Sequence, residues 1–193
     1  MPRTPDQYQE MKLRRRGQML NVGLRLFATL GYDGVKIDMV TKALRCSHGL
    51  FFHYFENKED FFLCVWNELV LPYPGLPNYS SCLALGGVDG LKSLCDYYAK
   101  SGKLDAKSLQ KLKIYTLFPL NEEVNKTFAK KMKGHSFQVA LSTLLKQGQA
   151  QGKVVAGPVN EIVRAALTLF EKLLNEPASI SSDLIYNLLT KGL

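Results

Sequence analysis

The sequence predicts an all-α fold: an N-terminal three-helix head containing a helix-turn-helix, followed by a helical C-terminal domain. Three observations carry this expectation. Apolar residues recur at three- and four-residue steps along almost the whole chain, the period of amphipathic helices. Good N-cap residues stand just ahead of several of these segments. No β-hairpin signal, internal repeat or low-complexity tract interrupts them.

The first helix is expected over Tyr8–Leu30, with Leu20, Leu24, Phe27 and Ala28 on its inner face and Gly31 ending it as a left-handed cap. A short second helix follows from about Lys36 to Leu44, with Ile37, Val40, Thr41 and Leu44 on one side. Ser47 caps a third, which ends near His53. Asn57 opens a fourth, with Glu59 and Asp60 complementing the positive end of the helix dipole. It carries Phe61, Phe62, Val65, Trp66 and Leu69 and stops before Pro72. Three prolines and several glycines make Leu71–Gly90 a loop and a candidate hinge. Helical patterning resumes over Leu91–Ser101 and Asp105–Phe118. A long helix then opens at Asn121, Glu122 and Glu123 and runs to about Gly148. The last two helices span Asn160–Asn175 and Ile180–Leu189. The domain boundary is expected at residue 56, separating 1–56 from 57–193.

Bulk properties narrow the class. The chain has 193 residues, 46% hydrophobic and 22% charged, ordinary for a globular protein and unlike a disordered one. Its formal net charge of +8 suits a polyanionic partner such as nucleic acid. The charge is spread out: Met1–Lys58 holds ten Lys or Arg against five Asp or Glu, and the later part is basic as well. Cys46, Cys64, Cys82 and Cys95 lack C-x-x-C spacing and read as free thiols of a reducing compartment. The three histidines show no ligand spacing, so no metal or cofactor is expected. The polar first residues resemble no signal peptide, and no apolar run is long enough for a membrane span, so a cytoplasmic location is expected.

Two short helices joined by a tight turn form a helix-turn-helix, whose second helix must be short and exposed for its first turn to enter a major groove about 12 Å wide. Val40, Leu44, Cys46 and Phe51 are placed to hold the two helices at their angle. The stretch LFATLGYDGVKIDMVTKALRCSHGLFFHYFENKEDF resembles the DNA-binding head of the TetR family of transcriptional regulators. Leu26-Phe27, Gly31-Tyr32, Val40, Ser47, Gly49, Phe51, His53-Tyr54-Phe55 and Lys58-Glu59 match in order and spacing. The resemblance implies an all-helical homodimer that binds palindromic double-stranded DNA. It also implies a variable C-terminal domain that binds a small effector. Four features depart from the family pattern. Val35 replaces a capping, phosphate-contacting Thr, and Thr41 and Leu44 stand where Ala is usual. Arg45 replaces a turn Gly, and Phe52 replaces an aromatic that contacts phosphate through its hydroxyl.

The expected DNA-binding residues are Lys36, Arg45, Ser47, His48, Gly49, Leu50, Phe52, His53, Tyr54 and Lys58. The resemblance sets Lys36 and Lys58 beside phosphates; as bare sequence they are two exposed lysines. Arg45 either supplies a backbone contact or is merely solvated. Gly49 lets the backbone approach DNA, and Tyr54 donates its hydroxyl to a phosphate. The run Lys12, Arg14, Arg15, Arg16 is either a DNA-contacting arm or a solvated helix face.

In the C-terminal domain, the helix from Asn160 is apolar on most of its circumference, so burial on two sides is expected: by its own domain and by a partner subunit. Val163, Ala166, Leu167, Phe170, Leu174, Leu184 and Leu188 are the expected dimer residues. Trp66, Tyr97, Tyr98, Tyr115, Phe118, Met132, Phe137 and Phe170 are candidates for lining an effector pocket, against the duller reading of plain core. Gly148–Lys153 mimics a phosphate loop, but it is one residue short, Val154 replaces the required Ser/Thr, and no strand precedes it. The leading function is a repressor released from its operator by a small molecule. A DNA-binding architectural or division-control protein of the same fold, without an effector, is the alternative. A helical enzyme lacks any nucleophile–base pair or metal cluster, and a basic protein-interaction module is the last reading.

Overall fold

The computed structural model describes residues 4–118 and 136–191. Within them the chain is helical, with no strand. It divides into two compact units, Met1–Pro74 and Gly75–Leu193.

The first unit begins with α1, Pro5–Gly34. Thr4 and Gln7 form a reciprocal capping box and Pro5 takes the first helical position, so the helix starts earlier than its apolar pattern does. Its winding breaks at Gly31, where φ is +68° and ψ 177°, a region open essentially only to glycine. Then come α2 (Ile37–Ala43), α3 (His48–Phe52) and α4 (Lys58–Val65). One wider turn, Trp66–Val70, prolongs α4, and there the Leu71 amide reaches back to the Trp66 carbonyl at 2.9 Å. The core is aromatic. Phe27, Phe51, Phe55, Phe61 and Phe62 are buried, with ring centroids 4.8–5.6 Å apart in successive tilted and edge-on pairs. Gly23 lets Phe61 approach α1, since a Cβ there would stand 2.4 Å from its ring. This packing of α4 on α1 carries the compact unit to Pro74, eighteen residues past the boundary expected at residue 56.

The second unit contains α5 (Tyr79–Leu85), α6 (Gly87–Ala99), a 3-10 turn at Ser101–Lys103, α7 (Ala106–Leu117), α8 (Phe137–Ala150), α9 (Val159–Asn175) and α10 (Ser182–Lys191). The expected loop Leu71–Gly90 is thus only partly a loop. Asn78 caps α5 by accepting from the Ser81 amide at 3.2 Å, and Tyr79 and Cys82 bury its inner face. Gly86 and Gly87, both at positive φ, turn the corner into α6. The expected opening at Asn121–Glu123 lies outside the described residues. A single helix through to Gly148 is overturned, because Ser136 is extended and caps a fresh start through the Val139 amide.

Helix α6 is the hub and packs against α5, α8 and α10. Its Gly90 lies where two neighbours converge, so that a Cβ would stand 2.4 Å from both the Cys82 carbonyl oxygen and Leu144. Lys92 ties α6 to α10 through Asp183 at 3.0 Å, over the Tyr186 ring. Glutamines just before and within the false phosphate loop stitch backbone together. Gln147 accepts from the Gly87 amide, and Gln149 donates to the Val155 and Gly157 carbonyls. All four cysteines are free; Cys46 and Cys64 are half-buried, Cys82 and Cys95 buried, and burial pushes the Cys95 thiol up to about 12. Among the described residues no helix is long and apolar enough to cross a membrane, and no group of His, Cys, Asp or Glu could hold a metal ion.

Because the Cys82 carbonyl is backbone and cannot swing aside, Gly90→Ala is expected to destabilise the second unit by about 1–3 kcal/mol, measured as a lower midpoint in urea denaturation followed by circular dichroism.

Candidate nucleic-acid interface

The helix-turn-helix is built from α2 and α3. Phe51 of α3 is wholly buried against Phe55 and Phe61, and Val40 and Thr41 of α2 close over the same core. Ser47 caps α3 by accepting from the Leu50 amide at 3.2 Å. Asn57 caps α4 through the Asp60 amide at 2.8 Å, while Asp60 accepts from the Glu56 amide, one residue earlier than a capping box would have it. With Phe51 inside, His48, Gly49, Phe52 and His53 are left exposed, and Leu50 and Tyr54 half-buried. Phe52 is 50% exposed, unusual for so large an apolar side chain. A Cβ at Gly49 would meet only the Ser47 hydroxyl, at 3.9 Å, and the residue has no positive φ. Nothing inside the protein requires a glycine there.

The expected cations fall into two groups. Lys36 is exposed at the N-cap of α2, and Arg45 is exposed in the turn. Neither has an ion-pair partner among the described residues. Lys58 differs: its ammonium donates to the Tyr32 carbonyl at 3.1 Å and lies 4.4 Å from the Tyr32 ring centroid. The break at Gly31 leaves α1's last carbonyls short of helical donors, and Lys58 supplies one. The basic run of α1 is divided in the same way. Arg16 makes a two-pronged bridge to Glu68, both contacts 2.6 Å, and covers the Phe55 ring. This bridge raises the Arg16 pKa and lowers that of Glu68. Arg15 donates to the Leu44 carbonyl at 2.9 Å, holding the turn from behind.

Sequence reasoning missed Asp38. Its carboxylate meets Lys42 at 2.6 Å and His48 at 3.4 Å, joining α2 to the start of α3. Lys42 above all, then His48, holds the carboxyl below its ordinary value. The i, i+4 spacing of Asp38 and Lys42 was a visible signal; the reach to His48 needed the fold. Two of the departures from the family pattern, Val35 and Thr41, find local reasons. Val35 is buried at the end of α1, and Thr41 satisfies its buried hydroxyl on the Asp38 carbonyl at 3.1 Å. Arg45 takes φ +49°, the left-handed turn conformation that favours glycine.

The expected effector residues are divided between the two units. Trp66 packs in the first unit beside Phe62. In the second unit Tyr98, Phe137 and Phe170 are buried with centroids 4.9–5.5 Å apart, and Tyr115 stacks on Tyr79. The Tyr98 hydroxyl is hydrogen-bonded to Tyr79 at 3.0 Å and Thr116 at 2.7 Å, Tyr97 donates to the Gly75 carbonyl, Phe118 is half-buried, and Met132 lies outside the described residues. Of the expected dimer residues, Val163, Ala166, Phe170 and Leu174 are turned into their own unit. Helices α7, α8 and α10 all pack on α9 and absorb the stripe that was expected to meet a partner. Leu167 and Leu188 are half-buried and Leu184 is 46% exposed.

The fold defines a class: an all-helical chain with an N-terminal helix-turn-helix head and a helical C-terminal domain. Residues 19–65, within the head, match the model described as bacterial regulatory proteins, tetR family. A 47-residue stretch is 40% identical to the transcriptional regulator AcuR of Cereibacter sphaeroides; it spans 24% of this chain and 22% of AcuR, about a fifth of that relative's length. Two solved structures share the fold along nearly the whole chain. A mutant of HlyIIR with an alanine-substituted segment aligns with TM-score 0.64 and 18% identity over 98% of this chain and 99% of its own. AibR, solved with isovaleryl coenzyme A and operator DNA, aligns with TM-score 0.58 and 16% identity over 91% and 98%.

Replacing the strained turn residue should relieve it. Arg45→Gly is expected to stabilise the head by about 0.5–1 kcal/mol, the left-handed penalty less glycine's entropy, seen as a raised urea midpoint.

Proposed function

We propose that this chain is a DNA-binding transcriptional regulator that inserts α3 into the major groove of a palindromic operator as a homodimer. The single observation that carries the reading is Gly49. It is exposed on the first turn of a capped five-residue helix and is needed neither for backbone conformation nor for internal packing. An external surface that must come close explains it. Phe52 and His53 stand beside it as exposed side chains able to meet base edges, thymine methyls or sugars, and His48, held by Asp38, is exposed next to it. Lys36 and Arg45 flank it as phosphate contacts, and Tyr54 adds a hydroxyl. Lys58 acts chiefly as an internal clamp.

Gly49→Ala separates function from fold. Alanine favours a helix over glycine by about 1 kcal/mol, so the variant is expected to melt no earlier than wild type while losing operator affinity at least tenfold. Unchanged affinity for a duplex selected from a random pool would remove Gly49 from the interface. Lys36→Ala should weaken binding to all duplexes alike and reduce the slope of log affinity against log salt by about 0.9. A change confined to one base pair would contradict a phosphate role.

One short helix reads few bases, so two heads on a two-fold axis are required. The exposed Leu184, with Leu188 and Leu167, supports pairing through α9 and α10. Monomer alone in sedimentation at micromolar concentration would remove the dimer. We further propose that the protein is a repressor and that a small effector bound in the second unit releases the DNA. A solved neighbour, AibR, in complex with isovaleryl coenzyme A and operator DNA, supports the small-molecule site of this reading. The tight contacts among Tyr98, Phe137 and Phe170 favour the second reading, an architectural or division-control DNA-binding protein with no effector. Loss of operator binding on adding a small molecule decides for the first.

A further inference from the structure

The N-terminal part of α1 buries no side chain in the head core. Its first buried side chain is Met19, so residues 5–18 form a helical extension about 20 Å long at 1.5 Å per residue. Arg15 and Arg16 nevertheless fix how it lies, one tied to the Leu44 carbonyl at the turn and the other to Glu68. A groove of about 510 Å³ runs between this extension and α3. Tyr8, Met11, Leu50 and Tyr54 give it an apolar floor, and Lys12 and Arg14 a basic rim. Tyr8 is 60% and Met11 44% exposed. Lys12 and Arg14 have no ion-pair partner among the described residues, and no acidic residue lines the groove.

We infer that this groove is a second DNA contact, a clamp for one sugar-phosphate strand of the duplex that α3 enters. The inference rests on the DNA-binding reading. A DNA strand presents this combination of chemistry: deoxyribose carbons suited to aromatic and aliphatic side chains, and one negative charge per nucleotide suited to Lys12 and Arg14. Continuity supports it as well. His53 and Tyr54 lie at the end of α3 and also line the groove, so a strand passing α3 runs on into it. The clamp carries no base-edge readout, so it adds affinity and lengthens the site without choosing its sequence.

The test compares wild type with Lys12→Ala/Arg14→Ala on a duplex selected from a random pool, with affinities measured between 50 and 200 mM NaCl. Two lost phosphate contacts should reduce the salt slope by about 1.8, so wild type loses roughly tenfold more affinity than the variant across that range. The ranking of duplexes carrying single base-pair changes should stay as in wild type, and Lys12→Arg/Arg14→Lys should restore the slope. Hydroxyl-radical footprinting of wild type should show protected backbone beyond the groove entered by α3. A variant with the wild-type slope, or wild-type protection confined to the recognition groove, overturns the clamp while leaving α3 as a DNA reader. Wild type that binds no duplex even at 50 mM overturns both. The footprint needs no variant, so it decides even if the double substitution disturbs folding.

Discussion

A helix of five residues has no stability of its own, since isolated helices well over twice that length are marginal in water. Helix α3 therefore exists only because Phe51 is buried. Its ring edges onto Phe61 and tilts against Phe55, and Phe61 in turn packs with both Phe55 and Phe27. Full burial of such a side chain contributes about 1.5–3 kcal/mol, a large share of the stability typical of a domain. The rest of the head follows from this anchor. Asn57 starts α4 so that Phe61 arrives at Phe51; Gly23 clears room for it on α1; Lys58 ties the broken end of α1 to the start of α4. One residue faces inward so that its neighbours on the same two turns are free to face outward.

Much of this was legible. Ser47 and Asn57 cap where their side-chain chemistry says they should, because capping is a local event fixed by a few consecutive residues. Gly31 and Pro72 mark real breaks for the same reason. The TetR-like order of residues 26–59 announced the head. What stayed hidden was tertiary. Whether a lysine meets solvent or a carbonyl depends on a residue 26 positions away, as with Lys58 and Tyr32. The apolar stripe of α9 reads the same whether three helices of its own unit or a second subunit cover it. The short α5 was lost behind the prolines of its approach, and Ser136, an ordinary polar residue in a helical pattern, gives no sign of breaking it.

The turn between α2 and α3 concentrates the compromises of the site. Arg45 holds a backbone conformation better suited to glycine, and Arg15 braces the carbonyl just before it. Asp38 restrains Lys42 on its own helix and His48 on the facing one. A strained residue persists where its surroundings over-determine it, and these polar ties supply that determination at low apolar cost.

The different commitments of the cations also bear on how the protein meets a polyanion before any contact forms. At a distance, Arg16 is cancelled by Glu68 and Lys42 largely by Asp38. Lys58 is held by a carbonyl and a ring, neither of which carries net charge, so it stays a full monopole in the far field. It thus contributes to drawing a polyanion toward the head, where steering of this kind can raise encounter rates by one or more orders of magnitude at low ionic strength, even with one of its N–H groups already spent. Encounter and grip are served here by overlapping but different sets of lysines and arginines.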